Sequence, residues 1–247
     1  MSSKEESFGP VAPHYDALMS HVPYDMWVGY YQLLLTHLGA TPETLLDVCC
    51  GTGTVAELLA KEDYEVTGFD LAEPMVIEAR KKAKKKGLGI RYFVQDAAEL
   101  DLKRKFDGAY SFFDSLNYIT EPNRLQAAIK RIAAHLEPGG TFVFDVNTEY
   151  AFEQQMFDQS EHSSRSEIHY DWVGNYDPST KIIKVEMSFK RGNLRFYETH
   201  VQRAYTQDEL AGWLDEAGFE EIHVFDSYTL NPPRKRSDRL HFAAVLG

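Results

Sequence analysis

The sequence predicts an α/β protein built on a doubly wound, mostly parallel sheet, with a small antiparallel β insertion late in the chain. From about residue 44, short apolar runs alternate with segments of helical pattern, as in chains that form parallel sheets through crossover helices. Between residues 148 and 205 the helical signals become few, and β-branched and aromatic runs separated by turn residues replace them. We therefore expect one α/β domain that carries a β insertion.

Five strands and the helices between them predict the parallel part of the sheet. The first apolar run ends in glycines, which suits a buried strand followed by a tight turn. Pro74 in the first turn of the second helix and Gly87 just past its end are typical positions for these residues. The predicted strands are 44–50, 65–70, 90–96, 106–113 and 141–147. The predicted helices are 54–61, 73–86 and 122–136, the last one ended by Glu137-Pro138-Gly139-Gly140.

The rest of the chain predicts the insertion and the close of the sheet. The insertion strands are predicted at 166–173, 181–189 and 194–205, with turns at Asn175-Tyr176-Asp177-Pro178 and Arg191-Gly192-Asn193. A helix at 206–218, which opens on a capping box of Thr206 and Glu209, and strands at 219–228 and 239–246 follow. We expect an N-terminal helical cap (1–43), a ligand-binding α/β domain (44–147 and 206–247) and a β lid (148–205).

Charge and composition exclude several classes of protein. A net charge of -12 repels phosphate backbones, so we expect no nucleic-acid partner. The chain shows no apolar run that could span a bilayer and no apolar signal core behind its polar N-terminus, so we expect a cytoplasmic protein without a membrane partner. The two cysteines, Cys49 and Cys50, are adjacent in a buried run, which favours neither a disulfide framework nor a zinc site.

Polar residues end the first three strands, and ligands of doubly wound sheets bind beyond these ends. The turn at Gly51 and Gly53 lets the backbone approach a ligand, although it also fits the dinucleotide pattern G-x-G-x-x-A or a turn without a ligand. Asp70 could accept both hydroxyls of a ribose or cap a helix. Asp96 could accept from the amine of an adenine or serve as a turn residue. Three such ends in succession favour an adenosine-containing ligand.

Five stretches resemble, in order and spacing, the motifs of the class I S-adenosylmethionine-dependent methyltransferases: LLDVCCGTG (45–53), VTGFDLAEPM (66–75), VQDAAEL (94–100), FDGAYSFFDSLNYI (106–119) and LEPGGTFVFDVN (136–147). The resemblance implies a Rossmann-like sheet of seven strands. Tyr15-Asp16-x-Leu18, FDSLNY at 113–118 and THVQRAY at 199–205 further resemble a bacterial small-molecule subgroup with an inserted antiparallel lid.

The resemblance also implies which residues bind the cofactor, S-adenosylmethionine. They are Asp47, Cys49, Gly51 and Gly53 at the methionine part, Asp70, Leu71 and Met75 at the ribose, Asp96 and Ala97 at the adenine, Phe113 and Asp114 beside the sulfonium, and Tyr15 and Trp27 over the cofactor. Cys49 departs from the family, which usually has glycine and less often alanine there. Its side chain must point away from the methyl donor or narrow the pocket.

Methyl transfer to a small-molecule acceptor, on nitrogen or oxygen, by in-line displacement is the implied reaction, and S-adenosylhomocysteine is its product. Holding the acceptor in line with the methyl group supplies much of the rate enhancement. A general base is needed only when the acceptor keeps its proton at the working pH. The candidates for the acceptor side are Tyr15, Tyr118, His200 and Arg203, although a histidine in an alternating strand is more often an ordinary surface or core residue.

Alternative functions are open at this point. The glycine turn and Asp70 also fit an NAD(P)-dependent oxidoreductase, and the protein could bind S-adenosylmethionine without catalysis. A nucleic-acid methyltransferase is a further alternative, which the net charge disfavours. Asp114, Asp145 and Asn147, at neighbouring strand ends, have oxygen atoms that could hold a metal ion. We expect hydrogen bonding within the turn instead, and no metal.

Overall fold

A computed structural model describes residues 8–163 and 168–247 of the chain. The α-helices are α1 (Tyr15–Leu18), α2 (Tyr24–His37), α3 (Thr54–Lys61), α4 (Glu73–Lys86), α5 (Pro122–Ala134), α6 (Glu149–Glu153) and α7 (Gln207–Glu216). The strands are β1 (Thr44–Val48), β2 (Glu65–Asp70), β3 (Arg91–Val94), β4 (Phe106–Ser111), β5 (Leu136–Asn147), β6 (Gln159–Glu161), β7 (His169–Asp177), β8 (Ile182–Arg191), β9 (Leu194–Arg203), β10 (Phe219–Asp226) and β11 (Arg239–Leu246).

Seven of the strands form one mixed sheet in the order β10-β11-β5-β4-β1-β2-β3. Strands β1 to β5 pair in parallel, and β11 lies antiparallel to both β5 and β10. The doubly wound, mostly parallel sheet predicted from the sequence is therefore confirmed. The strand order reverses between β1 and β4, so a ligand crevice is expected at the carboxyl ends of these two strands.

Some element boundaries differ from the prediction because the backbone changes region at the strand ends. Strand β1 ends at Val48 instead of residue 50, since Cys49 has a left-handed φ of 58°. Strand β4 ends at Ser111 because Phe113 is also left-handed, with a φ of 66°. Strand β3 is shorter than predicted.

Glu137–Gly140, which the sequence analysis placed between the helix at 122–136 and the strand at 141–147, lie inside β5. Helix α5 ends at Ala134, and β5 begins at Leu136, opposite Phe106 of β4. The pairing of the two strands then shifts, so that Gly108 lies opposite Thr141. The glycines are accommodated as an irregularity within the strand and do not end an element.

The insertion is a separate antiparallel sheet in the order β6-β7-β8-β9, as predicted, with β6 and α6 in addition. Residues 166 and 167, the start of the first predicted insertion strand, lie outside the described residues. Strand β7 continues to Asp177, so the turn predicted at 175–178 lies later. It follows Asp177, whose Oδ1 accepts the backbone N–H of Ser179 at 2.9 Å.

Alternate residues of the large sheet pack into two apolar clusters on its opposite faces, as the period of a strand requires. A third cluster joins the N-terminal segment to the insertion, through contacts of Val11, Leu18 and Met19 with residues such as Ile183 and Phe189. Helix α2 packs instead on one face of the sheet. The predicted N-terminal cap is therefore divided between the two sheets.

Within residues 8–163 and 168–247, no helix has the length and apolarity needed to cross a membrane.

Candidate active site

A cavity of about 910 Å³ opens at the carboxyl ends of β1, β2 and β4, at the reversal of strand order. One side of the cavity is formed by the strand ends and their turns. The N-terminal segment and the inner face of the insertion form the other side. The sequence-based expectation that ligands bind at the strand ends therefore leads to this cavity.

The turn after β1 approaches the cavity with its backbone. Gly51 has a φ of 53°, and a Cβ built on it would meet no atom within 4 Å, so this residue leaves open space along the cavity wall. Gly53, with a φ of 74°, does not line the cavity. A Cβ on Gly53 would lie 2.2 Å from the Tyr92 hydroxyl, so glycine is needed there for packing. A cofactor contact at Gly53 stays a prediction from the resemblance, and the structure shows a packing role for this glycine.

Cys49, the departure from the family pattern, has the left-handed backbone that favours glycine. Its side chain packs against the apolar cluster beneath the sheet and also forms part of the cavity wall. Burial raises the pKa of the Cys49 thiol, so the group stays neutral. Cys49 therefore adopts a backbone conformation that is unfavourable for a residue with a side chain, and its neutral thiol occupies the position as a small apolar group.

Asp47, in β1, places a carboxylate at the base of the cavity. The residue is 4% exposed, and its Oδ2 is without a hydrogen-bond partner among the described residues. Burial raises the pKa of this carboxyl group. A buried carboxylate oxygen that lacks a partner can accept from a ligand ammonium, such as that of the methionine part of the cofactor.

Asp70, at the end of β2, ties the first two turns together. Its Oδ2 accepts the N–H of Gly51 at 2.8 Å, and its Oδ1 accepts the N–H of Ala72 at 2.8 Å. Ala72 is the N-cap residue of α4, so the alternative that Asp70 caps this helix is not what the structure has. Each carboxylate oxygen keeps a further lone pair for a ribose hydroxyl.

Two apolar residues that follow Asp70 also line the cavity. Leu71 is 67% exposed, and Met75 is buried. An exposed leucine at a cavity mouth provides an apolar surface on which a flat ring can pack.

Asp96, after β3, is more constrained than the sequence suggested. It is the N-cap of a short 3₁₀ helix, and its Oδ1 accepts the N–H of Ala98 at 2.9 Å. Its Oδ2 is paired with the guanidinium of Arg124. Asp96 and the buried Ala97 both line the cavity. The turn role that the sequence left open is therefore present, and each Asp96 carboxylate oxygen keeps a further lone pair for a ligand.

The turn after β4 is held by carboxylates from β5. Phe113 and Asp114 have φ of 66° and 49°, and Asp145 accepts both of their backbone N–H groups at 2.8 and 2.9 Å. Arg239 donates to Asp114 at 2.9 Å and also to Asp145. Asp145 is thus used by the turn, as predicted. Within the described part of the chain, His, Cys, Asp and Glu side chains form no group of three that could hold a metal ion.

The N-terminal segment lies across the cavity and is fastened at Asp16. The Asp16 carboxylate accepts from the hydroxyl of Thr52 at 2.6 Å and from the ammonium of Lys82 at 2.7 Å. The contacts hold the preceding Tyr15 in the cavity wall. Trp27 of α2 also lines the cavity, with its ring centroid 5.1 Å from that of Phe113.

A hydrogen-bonded chain of three side chains, two of them buried and one half-buried, forms the wall opposite the strand ends. The Tyr118 hydroxyl lies 2.8 Å from His200 Nδ1, and His200 Nε2 lies 2.8 Å from Glu198 Oε2. His200 is 5% exposed and Glu198 is 7% exposed. All three residues line the cavity. A tyrosine, a histidine and a carboxylate joined in this order can relay a proton.

The sequence reasoning singled out Tyr118 and His200 but missed Glu198. Residues 198, 200 and 202 alternate in β9 and point to the same face, a signal that the sequence contains. Gln202 completes the row and donates to Asp114 Oδ2 at 2.6 Å. Glu198 also accepts the N–H of Val11 at 2.7 Å, across 187 positions of chain. No local pattern indicates that contact.

Arg203, the remaining candidate, does not line the cavity. It donates to the carbonyl of Thr180 at 2.8 Å, and its guanidinium lies 5.6 Å from the ring centroid of Tyr205. It ends β9 with the opposite orientation from His200, because it lies an odd number of residues away. Arg203 is thus the one of the four acceptor-side candidates whose side chain lies outside the cavity lining, and a role at the acceptor stays a prediction from the sequence.

The residues present fit S-adenosylmethionine, because the unpartnered Asp47 oxygen, the open face of Gly51 and the exposed Leu71 occur along one wall. The side chains that would hold it are Asp47 at its ammonium, Asp70 at its ribose, and Leu71, Met75, Asp96 and Ala97 around its adenine.

Comparison with known proteins agrees with this geometry. Residues 45–140 match the model of the methyltransferase domain family. A protein of Geobacillus sp. (strain WCH70) named as a methyltransferase is 35% identical over 93% of this chain and 96% of its own length. The dTDP-3-amino-3,4,6-trideoxy-alpha-D-glucopyranose N,N-dimethyltransferase of Streptomyces venezuelae is 40% identical over 42% of this chain and 44% of its own length.

A solved structure extends the similarity to nearly the whole chain. The crystal structure of an S-adenosylmethionine-dependent methyltransferase from Clostridium acetobutylicum ATCC 824 superposes with a TM-score of 0.84 and 28% identity, covering 96% of this chain and 98% of that one. These findings replace the oxidoreductase alternative. Sequence, fold and cavity agree that the chain belongs to the class I S-adenosylmethionine-dependent methyltransferases.

Proposed function

We propose that this protein transfers the methyl group of S-adenosylmethionine to a nitrogen or oxygen atom of a small-molecule acceptor. Tyr118, His200 and Glu198 are the path by which the acceptor loses its proton. The observation that carries this proposal is the hydrogen-bonded chain of these three side chains in the wall of the cavity. It lies across from the carboxylates that fit the cofactor.

The strand-end side of the cavity positions the methyl donor. Asp47 and Asp70 supply carboxylate oxygens, and the turn at Gly51 supplies a close backbone. When bound, S-adenosylmethionine supplies an electrophilic methyl group on a sulfonium and leaves as S-adenosylhomocysteine. Tyr15, Trp27 and Phe113 cover this side and exclude water from the reacting atoms.

The other side of the cavity positions the acceptor and removes its proton. The Glu198 carboxylate accepts the Nε2 proton of His200, which leaves Nδ1 as the acceptor for the Tyr118 hydroxyl. Burial raises the pKa of Tyr118 well above its ordinary value, so the phenol is neutral and donates to His200. The Tyr118 oxygen can then accept the proton of the acceptor while its own proton passes to His200.

Glu198 supports this transfer in two ways. As a buried carboxylate 2.8 Å from Nε2, it stabilises the imidazolium that forms when Nδ1 takes the proton. It also holds the N-terminal segment over the cavity through the N–H groups of Phe8 and Val11, at 3.1 and 2.7 Å. Glu198 therefore both holds the N-terminal segment over the cavity and orients His200 as the base.

A small-molecule acceptor is supported by the cavity itself and by the Streptomyces venezuelae relative, whose name describes dimethylation of an amino-sugar nitrogen. The cavity is closed on its acceptor side by the insertion and by the N-terminal segment, which leaves a compact space. A cytoplasmic location and the absence of a nucleic-acid partner stay predictions from the sequence.

Titration and turnover together test this proposal. We expect saturable one-site binding of S-adenosylmethionine and S-adenosylhomocysteine by calorimetry, and transfer of a tritiated methyl group to a component of a small-molecule extract. Tyr118→Phe is expected to lower kcat about 10- to 100-fold while the affinity for S-adenosylhomocysteine stays unchanged.

The pH dependence of turnover gives a second readout. Because the pKa of Tyr118 is raised, no fall in kcat from ionisation of this phenol is expected near its ordinary pKa. Binding of the cofactor without any turnover on the extract would instead support a non-catalytic binding protein.

A further inference from the structure

The acceptor side of the cavity is lined mainly by apolar and aromatic side chains. Met19 comes from the N-terminal segment, and Trp172, Met187 and Phe189 come from β7 and β8 of the insertion. Phe157, from the segment before β6, adds another ring to this wall. A surface of this kind stabilises a bound apolar group by removing it from water.

The charged residues in the lining are strongly biased toward acids. Among the residues that the structure describes, six carboxylates line the cavity: Asp47, Asp70, Asp96, Asp114, Glu198 and Asp238. Arg239 is the one arginine or lysine in the described lining. Its guanidinium already donates to Asp114 at 2.9 Å and to Asp145.

This distribution disfavours a phosphorylated acceptor. Phosphate groups in protein sites are bound by arginine, lysine or clustered backbone N–H groups. Here a diphosphate would lie in the field of Glu198, Asp114 and Asp238, and the single lining guanidinium is held by two carboxylates. The same field attracts a cation, such as a protonated amine.

Building on the proposed function, we propose that the acceptor is an amine attached to an aromatic or aliphatic body that carries no phosphate. The ammonium form loses one proton through Tyr118 to Nδ1 of His200. The nitrogen lone pair then forms a bond to the methyl carbon, the carbon–sulfur bond breaks, and its electron pair stays on sulfur. The products are a methylammonium, S-adenosylhomocysteine and a protonated His200.

The proposal separates this chain from the Streptomyces venezuelae relative, whose named substrate is a nucleotide-linked amino sugar. The two proteins align over 42% of this chain, so the similarity leaves more than half of it uncompared. The cavity lining here draws on residues from position 8 to position 239. The acceptor of this chain can therefore belong to a different chemical class from that of the relative.

Binding to the protein loaded with S-adenosylhomocysteine tests the proposal. The probes are 2-phenylethylamine, its neutral analogue 2-phenylethanol, and dTDP. Their binding is measured by calorimetry and by quenching of tryptophan fluorescence, which reports on the cavity because Trp27 and Trp172 line it. We expect the Kd of the amine to be about tenfold or more below that of dTDP and below that of the alcohol. Tighter binding of dTDP, or no binding of the amine, would overturn the proposal.

Two matched variants that each remove a carboxylate test whether Glu198 is the group that attracts the amine. Glu198→Gln should weaken binding of the amine about fivefold or more beyond any change in binding of the alcohol. Glu221→Gln is the control, because Glu221 is an exposed glutamate that also pairs with a histidine two residues away, His223 at 2.7 Å. An equal effect of both variants, or an equal loss for amine and alcohol, contradicts the assignment to Glu198.

The outcomes distinguish this proposal from the proposed function. If the protein fails to bind S-adenosylhomocysteine, the proposed function itself is wrong. If S-adenosylhomocysteine binds and dTDP is preferred over the amine, only the acceptor class is wrong.

Discussion

The two sides of the cavity are assembled in opposite ways. On the cofactor side, Asp47, Gly51 and Asp70 follow one another along the chain, and the backbone N–H of Gly51 donates to Asp70. On the acceptor side, Tyr118 meets His200 across 82 positions, and Val11 meets Glu198 across 187. The first wall is built by local turns at strand ends, and the second by side chains brought together from distant segments.

This difference teaches where function is readable in a chain of this kind. A turn at a strand end requires particular residues at particular spacings, so it leaves a motif. A wall built from an inserted sheet needs only the correct alternation and a partner of suitable shape. Variants on the acceptor side should therefore mainly change kcat, and variants on the cofactor side should mainly change the affinity for S-adenosylmethionine.

The largest effect is expected from His200→Asn on the acceptor side. Loss of the proton acceptor should lower kcat about 10²- to 10⁴-fold, because general-base catalysis contributes on this order. The affinity for S-adenosylmethionine, measured by calorimetry, should stay within about twofold of the unmodified protein. His223→Asn is the control, since His223 forms a similar pair with Glu221 outside the cavity. A parallel loss of cofactor affinity would show that the two walls are not separable.

The next effect is expected on stability, from Gly53→Ala. The new Cβ would lie 2.2 Å from the Tyr92 hydroxyl at a φ of 74°, so both packing and backbone are strained. We expect the free energy of unfolding in urea to fall by about 2–4 kcal/mol. Gly87→Ala, at a φ of 67° with open space around it, should cost only about 1 kcal/mol. Equal losses in the two variants would remove the contact with Tyr92 from the explanation.

A smaller effect is expected on cofactor binding, from Asp70→Ala. Removal of this carboxylate eliminates the ribose acceptor and the brace on Gly51, and should raise the Kd for S-adenosylmethionine about 10- to 100-fold. Asp101→Ala, at an exposed carboxylate paired with Lys103, should leave the Kd unchanged. Unchanged affinity in Asp70→Ala would contradict the ribose assignment.

The smallest effect is expected from Arg203→Gln. Arg203 lies outside the cavity lining and donates to the carbonyl of Thr180, so kcat and the cofactor Kd should stay within about twofold of the unmodified protein. The free energy of unfolding should fall by at most about 0.5 kcal/mol. Steady-state kinetics measure kcat, and a urea titration measures the free energy of unfolding. A drop in kcat comparable to that of His200→Asn would return Arg203 to the acceptor site.

Much of the cofactor side was predictable from the sequence because it depends on spacing along the chain. Asp47, Gly51, Asp70 and Asp96 line the cavity, as the resemblance implied. The packing role of Gly53 could not be predicted, because the need for glycine there comes from Tyr92 on β3, which approaches only after the sheet has formed. For the same reason, Asp96 was not expected to pair with Arg124 of α5.

The acceptor side was predictable only in part. Tyr118 and His200 were candidates by residue type, whereas Glu198 and Arg203 were distinguished by which face of β9 meets the cavity. That face depends on the pairing of β8 with β9 and on the packing of the N-terminal segment against them.

By itself, the sequence determined the doubly wound sheet and the strand-end turns, because hydrophobic period and turn residues act over a few positions. Its ordered motifs also carried the resemblance to the family. Only the tertiary structure decided that Glu198, His200 and Tyr118 form one chain, that Arg239 is held by two carboxylates, and that the acceptor wall is apolar and acidic. These features arise where segments far apart in the chain meet, and their contacts follow from packing and register rather than from any local pattern.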